Sequence, residues 1–309
     1  MPNRKPIVVV GSINIDLVAK AEHIPVAGET VAGVDFQTHQ GGKGANQAVA
    51  IARLGYPVHM IGRTGDDAFG EQLREGLRAA EVDISGVGVS PGSSGVAVIL
   101  VSPSGENVIV VTPGANGLVM PEDIDAHIAM IRSAGLVLTQ LEIPLATVEH
   151  LAAVCARERV PLMLDPAPAS ELPESVLKQI RWFTPNEIEA GFYLADESRD
   201  GLPEVIAKSL LALGPEAVVL KLGARGVYLQ DRDGLDRQVD GFKVRAVDTT
   251  AAGDAFNGSF AAALMLGIAP EDSARFAAAA AAISVTRAGA QPSMPTLSEV
   301  QQLLDGKRE

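Results

Sequence analysis

A single cysteine, Cys155, stands in the 309-residue chain, so no internal disulfide and no multi-cysteine metal site can form. The five histidines (His23, His39, His59, His127 and His150) are scattered and no H-E-x-x-H occurs, which argues against a histidine-built metal centre. Neither a G-x-x-x-x-G-K-[ST] run nor a G-x-G-x-x-G after the first apolar run is present, so the P-loop and dinucleotide fingerprints do not apply. Basic residues are the minority, 25 against 38 acidic, and the net charge of −13 argues against a polyanion such as DNA. A small anion such as ATP remains compatible, because local donors and a bound cation can outweigh a distant, screened charge. Long apolar runs are missing too. Ile7–Val10 gives only four apolar residues before Gly11, too few for a secretory core, and the Ala-rich Phe276–Val285 is bounded by Arg275 and Arg287. The expectation is a soluble cytoplasmic protein with small-molecule partners, no nucleic acid and no membrane.

What is present reads as globular, with 47% apolar and 20% charged residues. The continuous apolar runs 7–10, 58–61, 136–138, 162–164 and 218–220 are of the kind buried on both faces of a parallel sheet. Helical stretches are predicted between them at 45–54, 69–80, 145–156 and 202–213, with Gly55 and Gly214 as stops. This alternation implies a parallel sheet with helices on its faces, and a barrel would satisfy it equally. Two segments depart from the pattern: an extended stretch at 31–39, and a hairpin of 96–101 and 108–111 turning at Ser102-Pro103-Ser104-Gly105. A small sheet of this kind cannot bury both faces alone, so it must cover a site, pack on another subunit, or both.

Four segments could carry chemistry. Asp248-Thr249-Thr250-Ala251-Ala252-Gly253-Asp254 follows an apparent strand at 242–247 and precedes an Ala/Leu/Phe helix. Small residues at a helix start leave main-chain amides open to an anion. A carboxylate beside them suits a base that deprotonates a hydroxyl attacking a phosphoryl group, although Asp254 could equally be a helix cap. Gly41-Gly42-Lys43-Gly44-Ala45-Asn46-Gln47 allows close backbone approach and places Lys43 and Asn46 one helical turn apart. With Asn14 and Asp16 after the first strand it offers donors and acceptors for a polyhydroxylated molecule; a glycine turn with solvated charges is the plainer reading. Asn186 and Glu189 have capping-box spacing, and Glu189 could also hold a water on phosphate-bound Mg²⁺. Lys221-Leu222-Gly223-Ala224-Arg225-Gly226 is a strand end and glycine turn that could lie under a nucleotide or simply connect a hairpin.

Taken in order along the chain, the segments at 41–48 and 248–254 resemble the two signatures of the ribokinase-like (PfkB) family of carbohydrate kinases. Within it, Gly11–Asp16 and Thr286–Ser293 resemble the members that act on D-ribose. The resemblance covers nearly the whole chain. It implies one kinase domain over 1–309 with a Rossmann-like, mostly parallel central sheet flanked by helices, and a small β lid from about 16–40 and 94–115. It further implies transfer of the γ-phosphoryl group of ATP to the 5-hydroxyl of D-ribose. Asp254 would be the base, with Ala251, Ala252 and Gly253 lending amides to the transferring group. The sugar positions would be Asn14, Asp16, Gly42, Lys43, Asn46, Glu142 and Asp254. The nucleotide positions would be Asn186, Lys221, Leu222, Gly223, Ala224, Arg225, Gly226, Gly253, Asp254 and Ala278. Glu189 would serve Mg²⁺ through water, and potassium would be held by Asp248, Thr250, Ser284, Arg287, Gly289 and Ser293, several through carbonyls. A homodimer through the lid is expected. Lys221 stands where many members have Thr, and Ala278 where a polar residue is common. The competing readings are a sibling kinase for deoxyribose, fructose or adenosine, and a non-catalytic sugar or nucleotide sensor. The low aromatic content, 4%, disfavours a nucleoside acceptor, and the presence of Asp254 disfavours a sensor.

Overall fold

The computed structural model describes residues 4–104, 106–194 and 201–306; Met1, Pro2, Asn3 and the Gly105 of the expected turn lie outside the described residues. The central sheet is built on β1 (Ile7–Val10), flanked by β4 (Val58–Gly65) and β8 (Leu136–Thr139), both parallel to it. Beyond β4 lies β5 (Asp83–Ser90). Beyond β8 follow β9 (Leu162–Leu164), β10 (Trp182–Phe183) and β11 (Ala217–Lys221), all parallel. The hairpin β12 (Val227–Asp231) and β13 (Asp236–Val239) closes that edge antiparallel, as the turn after Lys221 suggested. The order β13-β12-β11-β10-β9-β8-β1-β4-β5 has two edges, so the barrel alternative is excluded.

Both faces are covered. Ile7 and Val9 of β1 point into a core shared with α1 (Lys43–Arg53), α2 (Ala68–Ala79), α9 (Ala252–Met265), α10 (Pro270–Ser284) and α11 (Leu297–Leu304). Val8 and Val10 point into a second core with the short helices α3 (Pro121–Ala126), α4 (Ile128–Ser133) and α6 (Glu174–Leu177). That core also takes in α5 (Leu145–Glu158), α7 (Glu187–Tyr193) and α8 (Pro203–Ala212). This burial on both sides is why the strands read as unbroken apolar runs. Gly55 and Gly214 take positive φ after their helices, as expected of C-terminal stops. The Ala-rich stretch lies in α10 and packs on the first core, with Ala281 only partly buried at the cleft. Among the described residues no helix is long and apolar enough to cross a membrane.

The hairpin of β6 (Gly95–Val101) and β7 (Asn107–Thr112) forms as anticipated, and the extended stretch is β3 (Gly33–Gly41). Between them lies β2 (Asn14–Ala21): Asn14 and Asp16, expected after the first strand, stand in it, and the expected lid range of about 16–40 covers most of it. These strands make a separate four-stranded sheet, β3-β2-β6-β7. One expectation fails here: residues 242–247 pair with no strand. Their alternation of apolar and polar residues serves a cleft, since Phe242, Val244 and Ala246 line it with Lys243.

β1 is the point where chain order diverges to the two sides of the sheet, toward β4 and toward β8. In open α/β sheets ligands bind beyond the carboxyl ends of strands at such a switch point. The ends of β1, β8, β9 and β11, together with the starts of α1 and α9, all meet there.

Candidate functional site

Asp254 sits in the first turn of α9, yet it does not cap the helix. Its buried carboxylate accepts from Asn46 Nδ2 and Gln47 Nε2, each at 2.9 Å, across the packed α1–α9 pair. That packing is close because Gly258 has no side chain: a Cβ there would come within 2.7 Å of Ala50 Cβ and of the Gln47 carbonyl oxygen. The turn into α9 is made by Ala251 at φ 58°, a left-handed conformation that costs a non-glycine residue about 1 kcal/mol or more. It leaves the amides of Gly253 and Asp254 in the first helical turn, where no intrahelical carbonyl is available to them. The Ala252 amide, expected to face an anion, instead donates to the Thr249 carbonyl oxygen at 3.2 Å.

Around Asp254 the expected sugar-side residues converge. Asn14 is buried, its Oδ1 accepting from Asn116 Nδ2 at 2.6 Å, and Asn116 Oδ1 in turn accepts from the Ile13 amide. Glu142 Oε2 accepts from Ser12 Oγ at 2.5 Å and from the Lys43 amide at 3.1 Å, placing negative charge at the positive end of α1. Gly42, at φ 89°, brings the backbone so near the segment leading from β1 into β2 that a Cβ would meet the Asn14 amide nitrogen at 2.7 Å. Gly41 leaves the room that the Asp16 carboxylate fills. Asn46 Oδ1 is buried without a hydrogen-bond partner among the described residues, an acceptor that a hydroxyl would satisfy.

The electrostatics follow from crowding. Burial, and then the Glu142 and Asp254 carboxylates, push the Asp16 carboxyl up to about 7. Burial raises Asp254 to about 6, with Asp165 pushing the same way and Lys43, Asn46 and Gln47 opposing. Burial alone would depress the Lys43 ammonium, but Asp254, Asp165, Glu142 and Glu189 outweigh it and hold the group above its ordinary range. A base near 6 is ionised at neutral pH yet basic enough to take a proton.

Below α9 opens a cleft of about 490 Å³, lined by Lys221, Gly223, Ala224, Gly226, Gly253 and Ala278 on the expected side. The segment 241–246 and Phe256 form its other walls. Leu222 is buried beneath the turn, the Arg225 guanidinium pairs with Glu187, and neither these two nor Asn186 lines the cleft. Asn186 caps α7: its Oδ1 accepts from the Glu189 amide, and Glu189 Oε2 accepts from the Asn186 amide, both at 2.8 Å. The capping-box reading therefore holds, and burial raises the Glu189 carboxyl.

With both oxygens already accepting, Glu189 fits a water-mediated contact to Mg²⁺ better than direct ligation. Among the described residues no three of His, Cys, Asp or Glu are grouped to hold a metal, so a divalent ion would rely on phosphate oxygens. Asp248 ties two loops together, accepting from the Thr250 and Gly289 amides at 2.9 Å each, while Val285 O accepts from the Val247 and Asp248 amides. Both Asp248 oxygens and the Val285 carbonyl already accept from main-chain amides, so a hard monovalent cation would share these oxygens and draw its remaining ligands from other carbonyls of the two loops. Arg287 pairs with Glu299, and Ser284 Oγ and Ser293 Oγ donate to the Ala281 and Ala290 carbonyls, so Arg287 could contribute only through its carbonyl.

Sequence reasoning missed Ser12, Asn116, Gln140, Asp165 and the individual role of Gln47. Asp165 and Gln140 follow β9 and β8 directly, so a polar residue at the end of an all-apolar run was the available signal. The profile of pfkB family carbohydrate kinases matches residues 4–297. A ribokinase of Haemophilus influenzae is 41% identical over 304 residues, covering 98% of this chain and 99% of its own. A deoxyribokinase of Salmonella typhi is 35% identical, covering 96% and 98%. The structure of Arabidopsis thaliana ribokinase complexed with ribose and ATP superposes with a TM-score of 0.89 at 34% identity, covering 97% and 99%.

Proposed function

Since the chain belongs to the pfkB family of carbohydrate kinases, we propose that it transfers the γ-phosphoryl group of ATP to the 5-hydroxyl of D-ribose, giving D-ribose 5-phosphate. The observation that carries this reading is the position of Asp254. It is a buried, pinned carboxylate in the first turn of α9, flanked on one side by the polar cluster of Asn14, Asp16, Lys43, Asn46 and Glu142 and adjoined on the other by Gly253, which lines the cleft. Asp254 takes the proton of the sugar hydroxyl as the oxygen attacks the γ-phosphorus and the bond to the β-phosphate oxygen breaks. The Gly253 and Asp254 amides and the positive end of α9 offset charge on the transferring group. Lys43 and the surrounding carboxylates fix the sugar hydroxyls, so that much of the barrier is met by positioning. Ala278 makes an apolar contact to the nucleotide, and the turn 223–226 runs beneath it.

Glu189 would serve Mg²⁺ through water, and Asp248, Thr250, Ser284, Arg287, Gly289 and Ser293 would hold potassium, Arg287 through its carbonyl. When bound, the two ions supply positive charge that the carboxylate-rich site lacks. The second sheet acts as the lid within a single domain. Its register puts Asp16, Val18, His39, Ala97 and Val111 on one face, and Leu17, Phe36, Val98 and Val110 on the other. The first face carries Asp16 over the site. On the second, Phe36 is 63% and Val110 60% exposed, an apolar surface suited to the same face of a second copy. Charged substitutions at both positions should turn a dimer into a monomer by light scattering.

The test of the reaction is a coupled assay of ADP formation with ribose, 2-deoxyribose, fructose and adenosine. Ribose should give the highest kcat/KM, and ATP hydrolysis without sugar should be slow because the lid excludes water. Preference for deoxyribose, the substrate class in the name of the Salmonella relative, would replace the acceptor and keep the mechanism. No turnover with any sugar would sink it.

A further inference from the structure

A run of buried hydrogen bonds leads from Asp254 to the nucleotide cleft through Gln47 and Asp165. Gln47, fully buried on α1, donates through Nε2 to Asp254 Oδ1 at 2.9 Å and to Asp165 Oδ2 at 3.0 Å. A side-chain amide has two N–H groups, so each carboxylate takes one. The orientation of that amide is set from behind: Gln140 Nε2 donates to Gln47 Oε1 at 2.5 Å, which turns the NH₂ toward the carboxylates. Gln140 in turn fills space that Gly11 leaves, since a Cβ there would lie 2.1 Å from Gln140 Oε1.

The other oxygen of Asp165 accepts from Lys221 Nζ at 2.8 Å, with Asp165 only 2% and Lys221 12% exposed. Desolvating both partners of such a pair costs several kcal/mol, so stability is a poor reason for its presence. Lys221 nevertheless lines the cleft, and its Nζ is 3.6 Å from the point where a Gly253 Cβ would stand, beside the first turn of α9. An ammonium held there faces the end of the cleft where the phosphates must lie if the amides of α9 receive the transferring group.

We propose that Lys221 is a catalytic cation for the terminal phosphates of the nucleotide, and that Asp165 and Gln47 are positioning residues binding it and Asp254 into one hydrogen-bonded unit. The inference rests on the kinase reading above and adds to it a charge and a linkage. As the bond to the β-phosphate oxygen breaks, negative charge develops on the leaving oxygen. A fixed ammonium there stabilises that charge without reorganising. Asp165 keeps the flexible lysine stem from swinging away, and the shared Gln47 amide fixes the base in register with it.

The decisive variant is the neutral pair Asp165→Asn with Lys221→Gln, which keeps a hydrogen bond and orphans no charge. Calorimetry without sugar should show binding of a β,γ-imido ATP analogue weakened about tenfold or more, with adenosine affinity unchanged. Unchanged analogue affinity, or an equal loss for adenosine, overturns the role of Lys221 whichever sugar the enzyme uses. With the best acceptor of the panel, kcat should fall about 10²-fold, in the range of a lost charge-stabilising donor, and Lys221→Arg should retain most of it. Gln47→Met tests the linkage through the pH profile of kcat. Asp254 faces Lys43 from α1, Asp165 from the end of β9 and Asp16 from β2, and it loses one donor that favours its ionised form. The acid limb should therefore move to higher pH; a limb that stays in place while kcat merely scales overturns the positioning role.

Discussion

Replacing Asp16 by Asn should make the ligand-free protein more stable while ruining its affinity for sugar. Burial beside Glu142 and Asp254 lifts the Asp16 carboxyl from an ordinary 3.8 to about 7. Because the folded-state value is raised, the folded chain carries no penalty below about pH 4 and the full penalty above pH 7. Each pH unit between folded and unfolded values corresponds to about 1.4 kcal/mol, so the penalty amounts to about 4 kcal/mol, an upper figure given the partial exposure of the group. Asn has nearly the same shape and never ionises. At pH 8 the variant should melt about 5–10 °C higher, on the usual scale for a chain of this size. At pH 4 the gain should vanish. Scanning calorimetry of both proteins at the two pH values reads this directly, and the KM for ribose at pH 8 should rise by at least an order of magnitude as a charged acceptor is lost. An unchanged melting temperature at pH 8, or the same gain at pH 4, would refute the crowded-carboxylate account of the site.

Two other outcomes follow from the same geometry. Gly42→Ala places a Cβ against backbone atoms of residues 12–14 at 2.7–3.0 Å and forces φ 89° on a non-glycine residue. It should cost about 2–4 kcal/mol of unfolding free energy, read from a lowered denaturant midpoint, and lower kcat/KM for sugar. If potassium occupies the loops joined by Asp248, kcat in potassium chloride should exceed that in sodium or choline chloride, and Asp248→Asn should abolish the difference. Equal rates in all three salts would remove the ion from the account.

Most of the parallel sheet was legible because it is buried on both faces: runs such as Ile7–Val10 and Leu136–Leu138 contain nothing that could face water. Residues 242–247 have the alternation of a half-buried strand but use it to wall a cleft, a distinction that lies in tertiary context and not in periodicity. β2 was not read from its own residues because Asn14 and Asp16 interrupt its apolar pattern, and only the lid range implied by the resemblance reached it. Locally, Asp254 could be a base or a helix cap and Asn46 part of a polar glycine turn; the resemblance was what joined the two. The role of Gln47 was not readable, since a glutamine on a buried helix face shows its purpose only when Asp165, 118 residues away, and Asp254, 207 residues away, are brought to its two N–H groups. The pairing of Lys221 with Asp165 is equally non-local and turns one of two departures from the family pattern into half of an ion pair.

The most direct measurement of the central claim is the turnover of Asp254→Asn, with ATP affinity determined in parallel. The isosteric amide removes the proton acceptor and leaves the amides of α9 in place. kcat should fall by about 10²–10⁴ with ATP binding largely preserved. A variant that phosphorylates sugar at close to the wild-type rate would contradict the assignment of Asp254 as the base.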